Sequence, residues 1–385
     1  MPIRARHIPR SAFVLLALAT GLRLTAFGQR VAQPGTTAAG ALPSDSAVLE
    51  IIRERVQDKR SAGIVVGLLE PDGRSRIMAF GDSGPGQPPL DGDSVFEIGS
   101  ISKVFTSTVL AQMVLAKTVA LDDPVQKFLP PSVRVPTHNG KQITLGNLST
   151  QNSGLPRMPN NFHPADAANP YADYTVQQMY DFLSAYELTR DPGEQFEYSN
   201  LGVGLLGHVL SRSAGKSYEQ LERERVWEPL GMAHTAIALT PWMKQHLALG
   251  HDARGTVVAN WDIPTLAGAG AIRSTAADML KFLDANLHPE RGDIGKALAF
   301  AQQERAPAGP NAGIGLNWII RHTGGRTIVW HNGGTGGYRT FAGFEPSRKI
   351  GVVVLTNSGG AGADDIGFHL LDPELPLAPR PAPPR

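Results

Sequence analysis

Apolar positions change their period several times along this chain. Val48, Ile51, Ile52 and Val56 recur at helical spacing within Asp45 to Arg60. The pattern then becomes strand-like. Ala62–Glu70 and Arg76–Phe80 are short apolar runs joined by Pro71-Asp72-Gly73, which is a hairpin signal. From Ile101 the spacing is helical again, through Val104, Phe105, Thr108, Val109, Met113 and Val114. Between about 126 and 265 helical patterns alternate with loops rich in Pro, Asn and Gly, the longest being Pro156–Tyr174. Thr175–Leu188, Leu201–Ala214 and Tyr218–Trp227 read as helices, and so does Thr275–Leu287 after the glycine-rich Leu266–Arg273. The last third returns to strands at Gly315–Arg321, Thr327–His331, Tyr338–Phe344 and Ile350–Thr356, with a final helix at Asp364–Leu371. Strands from both ends with helices between them predict an α+β fold. One antiparallel sheet would be made from both chain ends, flanked by helices, with a mainly helical lobe inserted.

The two termini read differently. A basic start with Arg4, Arg6 and Arg10 precedes the apolar run Ser11–Leu22, and Ala26-Phe27-Gly28 offers small residues for cleavage. That pattern predicts a secretory signal over residues 1–28. The apolar run is shorter than the ~20 residues a spanning helix needs, so no stable membrane span is expected after processing. Residues 29–43 read as a linker. Six prolines lie between Pro373 and Pro384, so residues 373–385 are expected to be a disordered tail. The folded domain is then 44–372. Its α/β lobe comprises about 44–104 and 270–372, and its helical lobe about 105–269.

Charge and composition narrow the partners. Lys and Arg number 36 against 35 Asp and Glu. The expected leader carries four Arg and no acid, which leaves the rest slightly acidic. Nothing in that balance calls for nucleic acid. The absence of cysteine excludes disulfides, thiol nucleophiles and thiolate metal sites. The histidines lack metal-ligand spacing, so neither a metal nor a cofactor is expected.

Three segments carry candidate chemistry. In Phe96–Thr106, Ser100 and Lys103 form Ser-x-x-Lys at a predicted helix start, one turn apart on one face. A serine needs something to take its proton, and a lysine can do so only with a lowered pKa. The same spacing also arises as an ordinary helix N-cap followed by a solvated lysine. In Pro192–Gly202, Tyr198 and Asn200 precede a helix. Tyr198 would be the base for Ser100 or share that work with Lys103, or the segment is a turn in which Asn200 caps the helix at Leu201. In Val329–Tyr338, glycines strip side chains from a strand so that another backbone can approach, unless they form only a flexible loop. Gly81-Asp82-Ser83-Gly84-Pro85 imitates another protease nucleophile, but the one earlier histidine is His7, and Ser83 reads as a turn residue.

In this order the three segments resemble the penicillin-recognising serine enzymes, in the class C β-lactamase branch with its low-molecular-mass penicillin-binding proteins and esterases. Supporting stretches include Leu121-Asp-Asp-Pro124, Ser153-Gly-Leu-Pro156, Glu228–Met232 and Phe344 to Asn357. Val133–Gly140 is similar to the carboxypeptidase/endopeptidase members. The resemblance implies a β-lactamase/transpeptidase-like fold. It implies Ser100 as acylated nucleophile, Lys103 as its proton partner and Tyr198 as general acid/base. Asn200, His331, Asn332 and Gly333 would bind substrate, and the N–H groups of Ser100 and Gly334 would form the oxyanion hole. His331 and Asn332 stand where the family has Lys and Thr. An unperturbed histidine titrates near ~6.5 and is only partly cationic at neutral pH. A periplasmic or secreted hydrolase acting on β-lactams or D-Ala-D-Ala peptides is therefore expected, with small acyl esters as the alternative. A silent binding protein of the same fold is the reading from another class, and the intact Ser100, Lys103, Tyr198 and Asn200 count against it.

Overall fold

The computed structural model describes residues 42–360 and 362–380. The expected leader, and all but the last two residues of the expected linker, lie outside them. The chain opens with α1 (Asp45–Gln57), the hairpin β1 (Gly63–Leu69) and β2 (Ser75–Gly81), and the short β3 (Val95–Glu97). A 3₁₀ turn (Gly99–Ile101) leads into α2 (Ser102–Leu115). Next come the small hairpin β4 (Thr137–His138) and β5 (Lys141–Gln142), then α3 (Leu145–Ser149), α4 (Val176–Ala185) and α5 (Asn200–Ala214). The helical stretch closes with α6 (Tyr218–Glu222), α7 (Pro241–Gln245) and α8 (Ala267–Gly270). After β6 (Arg273–Thr275) follow α9 (Ala276–Leu287) and α10 (Gly292–Gln302). The chain then lays down β7 (Ala306–Gly309), β8 (Ala312–Ile314), β9 (Ile319–Thr323), β10 (Arg326–Gly334), β11 (Arg339–Glu345) and β12 (Ile350–Thr356), and ends on α11 (Asp364–Leu371).

Eight of the strands form one antiparallel sheet in the order β2-β1-β12-β11-β10-β9-β8-β7. The two chain ends meet where β1 pairs with β12, from Ile64 opposite Thr356 to Leu69 opposite Gly351. Both strands are buried on both faces, which is why they read as unbroken apolar runs. Alternate residues face opposite ways along a strand. Ile64, Val66 and Leu68 accordingly join a core with Val48 and Ile52 of α1 and Ile366 and Leu370 of α11. Val65 and Leu69 join the larger core on the other face, with Met279 and Leu283 of α9 and Phe105 of α2. The β1–β2 turn closes with Gly73 at φ +83°, as Pro71-Asp72-Gly73 predicts.

Three differences from the expected elements have local causes. The expected strand Gly315–Arg321 is interrupted by a turn in which Gly315 N donates to Trp318 O (2.8 Å) and Asn317 adopts φ +58°. Strands β7 and β8 and helix α10 lack the usual signals, since the strands hold only Ala, Pro, Gly and one Ile and α10 has no side-chain cap. Of the proline-rich tail 373–385, expected to be disordered, residues 373–380 lie against the body, and 381–385 fall outside the described residues. Ala378 N donates to Asp365 Oδ2 (2.7 Å), Arg60 Nη1 donates to Ala378 O (3.2 Å), and Arg380 pairs with Glu54. Proline has no N–H to donate, yet its neighbours' backbone groups still find partners on α11 and on Arg60, just past the end of α1. Among the described residues no helix is long and apolar enough to cross a membrane.

Candidate active site

Ser100 sits on the 3₁₀ turn rather than in the first turn of the α-helix itself. Gly99 makes that turn possible. Its φ is +52°, and a Cβ there would come within 2.6 Å of Gly334 N. Only glycine meets both demands at low cost. Two side chains clamp the turn: Thr340 Oγ1 of β11 donates to Ile98 O (2.9 Å), and Ser102 Oγ accepts from Ile272 N (3.1 Å). Beyond the turn, α2 is buried on all sides from Ser102 to Ala111, not along a single stripe. It runs through the centre of the molecule, so its polar residues must find internal partners.

Lys103 shows how that requirement is met. It is fully buried, and its Nζ has three partners: Ser100 Oγ at 3.0 Å, Asn200 Oδ1 at 2.9 Å and Ala269 O at 2.6 Å. Burial, with the positive charge of Arg157, holds its pKa well below the usual lysine range. Two of the partners are pure acceptors and the third is a hydroxyl. A neutral amine satisfies them all, with two N–H bonds to the carbonyl oxygens and a lone pair toward the Ser100 hydroxyl.

Asn200 is free to face Lys103 because another residue caps its helix. Ser199 is the N-cap of α5, and its Oγ accepts from Gly202 N (2.8 Å). Asn200 itself is the first helical residue. Its Nδ2 reaches Tyr171 Oη at 3.5 Å.

The Tyr198 hydroxyl lies close enough to Ser100 to interact with its side chain. Two side chains of cationic residue types, of opposite readiness to lose a proton, approach the Tyr198 ring, with Lys103 Nζ 4.9 Å and Arg157 Cζ 5.1 Å from the centroid. The His331 ring is 6.2 Å away, centroid to centroid. Burial pushes the Tyr198 pKa up to about 12, against the opposing pull of the Ser100 side chain and of Arg157.

The strand wall is the end of β10. Strand β9 pairs with β10 only as far as Trp330, while β11 pairs with it to Gly334. Among the described residues, His331 to Gly334 therefore have no strand paired on their other edge. Gly333 faces the serine turn so closely that a Cβ would overlap the Ile98 carbonyl oxygen and Thr340 Oγ1. The Gly334 N–H lies against Gly99, beside Ser100. His331 is buried, with Nδ1 2.7 Å from Asn332 O. Burial first, and then Lys103, push its pKa down to about 3. It is thus a neutral ring and not the titrating group that the sequence leads one to expect. Asn332 turns to the other face of the sheet, where its Nδ2 donates to Asp364 Oδ2 (2.6 Å).

The structure thus brings Ser100, Lys103, Tyr198, Asn200, His331, Gly333 and Gly334 together and turns the Asn332 side chain away. Tyr171, Trp261 and Thr335 complete the cleft wall with Ser100, Asn200 and Gly334. Sequence reasoning passed over these three and Arg157, although Arg157 directly follows the quoted Ser153-Gly-Leu-Pro156. Ser83 is a turn residue whose Oγ donates to Pro88 O (2.6 Å). Among the described residues no group of three or more His, Asp or Glu is placed to hold a metal ion.

Residues 48–371 match the family described as Beta-lactamase. The D-alanyl-D-alanine-carboxypeptidase/endopeptidase AmpH of Escherichia coli is 33% identical over 314 residues, covering 76% of this chain and 79% of that protein. A β-lactamase of Pseudomonas fluorescens is 25% identical over 344 residues, covering 81% and 92%. The crystal structure of a class C β-lactamase from Rhodobacter sphaeroides superposes with a TM-score of 0.72 at 24% identity, covering 86% of this chain and 97% of that one.

Proposed function

The chain belongs to the β-lactamase family of serine hydrolases, and on that premise we propose that it hydrolyses acyl substrates through an acyl-enzyme on Ser100. The observation that carries this reading is the buried Lys103 amine bonded at once to Ser100 Oγ, Asn200 Oδ1 and Ala269 O. Ser100 Oγ attacks the substrate carbonyl carbon, and its proton passes to the neutral Lys103 amine. The carbonyl electron pair moves onto oxygen, where the N–H groups of Ser100 and Gly334 stabilise it, each worth about 3 kcal/mol in comparable sites. Collapse of the adduct breaks the C–N or C–O bond. The leaving nitrogen or oxygen takes the Tyr198 phenol proton, and Lys103 returns one to Tyr198. A protonated phenol suits that donor role better than a phenolate base, and the raised Tyr198 pKa supports it. Water then repeats the attack on the ester carbon and releases the product.

The substrate class we propose is β-lactams or peptides ending in D-Ala-D-Ala. The free edge of β10 supports it, since an extended peptide backbone can pair there. The carboxypeptidase/endopeptidase name of the Escherichia coli relative supports it as well. Small acyl esters are the second reading, favoured by the neutral state of His331 in the place of the family's lysine. We read the protein as exported, with residues 1–28 as the leader, 44–372 as the catalytic domain and the substrate cleft where its α/β and helical lobes meet. The test is covalent labelling with a penicillin and a fluorophosphonate, read by intact mass. Wild type gains one adduct and Ser100→Ala gains none. Adduct formation at wild-type level in Ser100→Ala refutes the nucleophile. Turnover of a cephalosporin, a D-Ala-D-Ala peptide and a nitrophenyl ester, measured together, decides the substrate class.

A further inference from the structure

The family's strand lysine is missing here, yet the cleft holds another cation that no motif announces. Arg157 follows the Ser153–Pro156 turn, and its backbone is fixed to the first turn of α5. Its carbonyl accepts from Asn200 N (3.0 Å) and Leu201 N (3.2 Å), and Pro156 O accepts from Ser199 Oγ (2.7 Å). The side chain is exposed and makes no ion pair among the described residues. Its contact is the Tyr198 ring, 5.1 Å from Cζ to centroid. That is within cation–π range. Lys103 Nζ approaches the same ring at 4.9 Å.

We propose that Arg157 is a positioning residue for the proton-transfer pair: held over Tyr198 from the helical wall, it supplies the fixed positive charge that the family's lysine supplies from the strand. This rests on the reading of Lys103 and Tyr198 as the pair that moves the Ser100 proton. A cation at that place disfavours the ammonium form of Lys103 and favours electron density on the Tyr198 oxygen. It acts in that direction on Lys103, Tyr198 and Tyr171 alike.

The other groups facing the pair do not supply the charge. From β10 comes His331, a neutral ring. From the 158–174 loop comes the Tyr171 phenol, raised by burial. From α2 and α5 come the Ser100 hydroxyl and the Asn200 amide. Glu197, next to Tyr198 in the chain, is engaged by Arg190. Among the described residues Arg157 is therefore the cation over this ring other than Lys103 itself.

The experiment is kcat/KM against pH for a nitrophenyl ester without a carboxylate, in wild type, Arg157→Gln and Arg157→Lys. The acidic limb reports the free base. Without Arg157 the base holds its proton to higher pH. The limb of Arg157→Gln should then shift alkaline, with a loss of roughly three- to tenfold below it and recovery above it. Arg157→Lys should restore most of the shift. Because Arg157 is exposed, raised salt should move the wild-type limb the same way. Superimposed profiles would overturn the proposal, as would a loss uniform across pH. A loss confined to carboxylate-bearing substrates, with the ester profile unmoved, would also overturn it and make Arg157 a substrate anchor. Penicillin labelling of each variant keeps the two questions apart, since failure of Ser100 to label in wild type tells against the catalytic reading and not against Arg157.

Discussion

Replacing Glu222 by Gln should stabilise this protein at neutral pH, and by an amount the structure allows one to work out. Glu222 ends α6, is fully buried, and neither carboxyl oxygen has a standard hydrogen-bond partner among the described residues. Burial drives its pKa from 4.5 up to about 8, with the Tyr218 phenol opposing only weakly. Between those two pH values the native state holds a proton that the unfolded chain has lost. Stability therefore falls as pH rises through that window, by about 1.4 kcal/mol per pH unit, and is level again above about 8. From pH 5 to 7.5 the loss is about 3 kcal/mol. Gln keeps the shape and removes the ionisation. Urea unfolding of both proteins across pH 5 to 8.5 isolates the effect, because all other titrating groups are shared. The advantage of Glu222→Gln over wild type should grow by about 3 kcal/mol between pH 5 and 7.5. Stability curves that run parallel would mean the carboxyl is not held protonated, and the argument would fail. The position matters to the site. Tyr218, beside Glu222, bonds Thr106 at 2.6 Å, and Thr106 bonds Gly268 O at 2.8 Å, one residue from the carbonyl that holds Lys103.

Three further outcomes follow from the strand wall. Gly333→Ala places a methyl group against the Ile98 carbonyl and should push the serine turn from β10, costing about 1–3 kcal/mol and slowing acylation roughly 100-fold. A wild-type acylation rate in that variant would show that the close approach is not needed. His331 is neutral throughout the working range, so wild-type profiles for a cephalosporin and a neutral ester should share one acidic limb between pH 5 and 8. His331→Lys should raise the cephalosporin-to-ester ratio of kcat/KM roughly tenfold, the worth of one charge-assisted hydrogen bond. An unchanged ratio would leave residue 331 no part in substrate choice.

Much of this was legible in the sequence, and the reasons are specific. The strands β1 and β12 announce themselves because burial on two faces demands nearly unbroken apolar runs. Ser-x-x-Lys, Tyr-x-Asn and the glycine strand are legible because their chemistry needs those types at short spacing. What the sequence does not carry is tertiary burial. The apolar positions of α2 show a stripe, yet Thr106, Ser107 and Thr108 are as buried as Val104, because each hydroxyl finds an internal acceptor or partner hydroxyl. His331 looks like a titrating group until its ring is seen to be enclosed. Asn200 looks like a helix cap until Ser199 is seen to do that work. Arg157 looks like any surface arginine, since its meaning lies in a ring forty-one positions later in the chain.

These details share one physical logic. The cleft is assembled from segments far apart in the chain, and backbone meets backbone where Gly99, Gly333 and Gly334 remove the side chains that would keep them apart. That contact puts the Gly334 N–H against Gly99, next to Ser100, and residue 331, two positions before Gly333 on β10, is enclosed with it. A lysine in that enclosure must share it with Lys103, and two ammonium groups in one low-dielectric pocket each lower the other's pKa. A neutral histidine removes the conflict and lets a single buried amine take the base role. It also takes away the cation that would meet a substrate carboxylate from the strand. Arg339 lies at the strand end of the cleft, bonded to Thr335 O, so among the described residues the positive charge over the Tyr198 ring, other than Lys103, is that of Arg157, on the helical wall and in solvent, where on this proposal it acts on the proton-transfer pair at little desolvation cost. On the proposed mechanism the chain keeps the machinery for acyl transfer, and the same proposal has its choice of substrate depend less on a carboxylate than the family's strand lysine would make it.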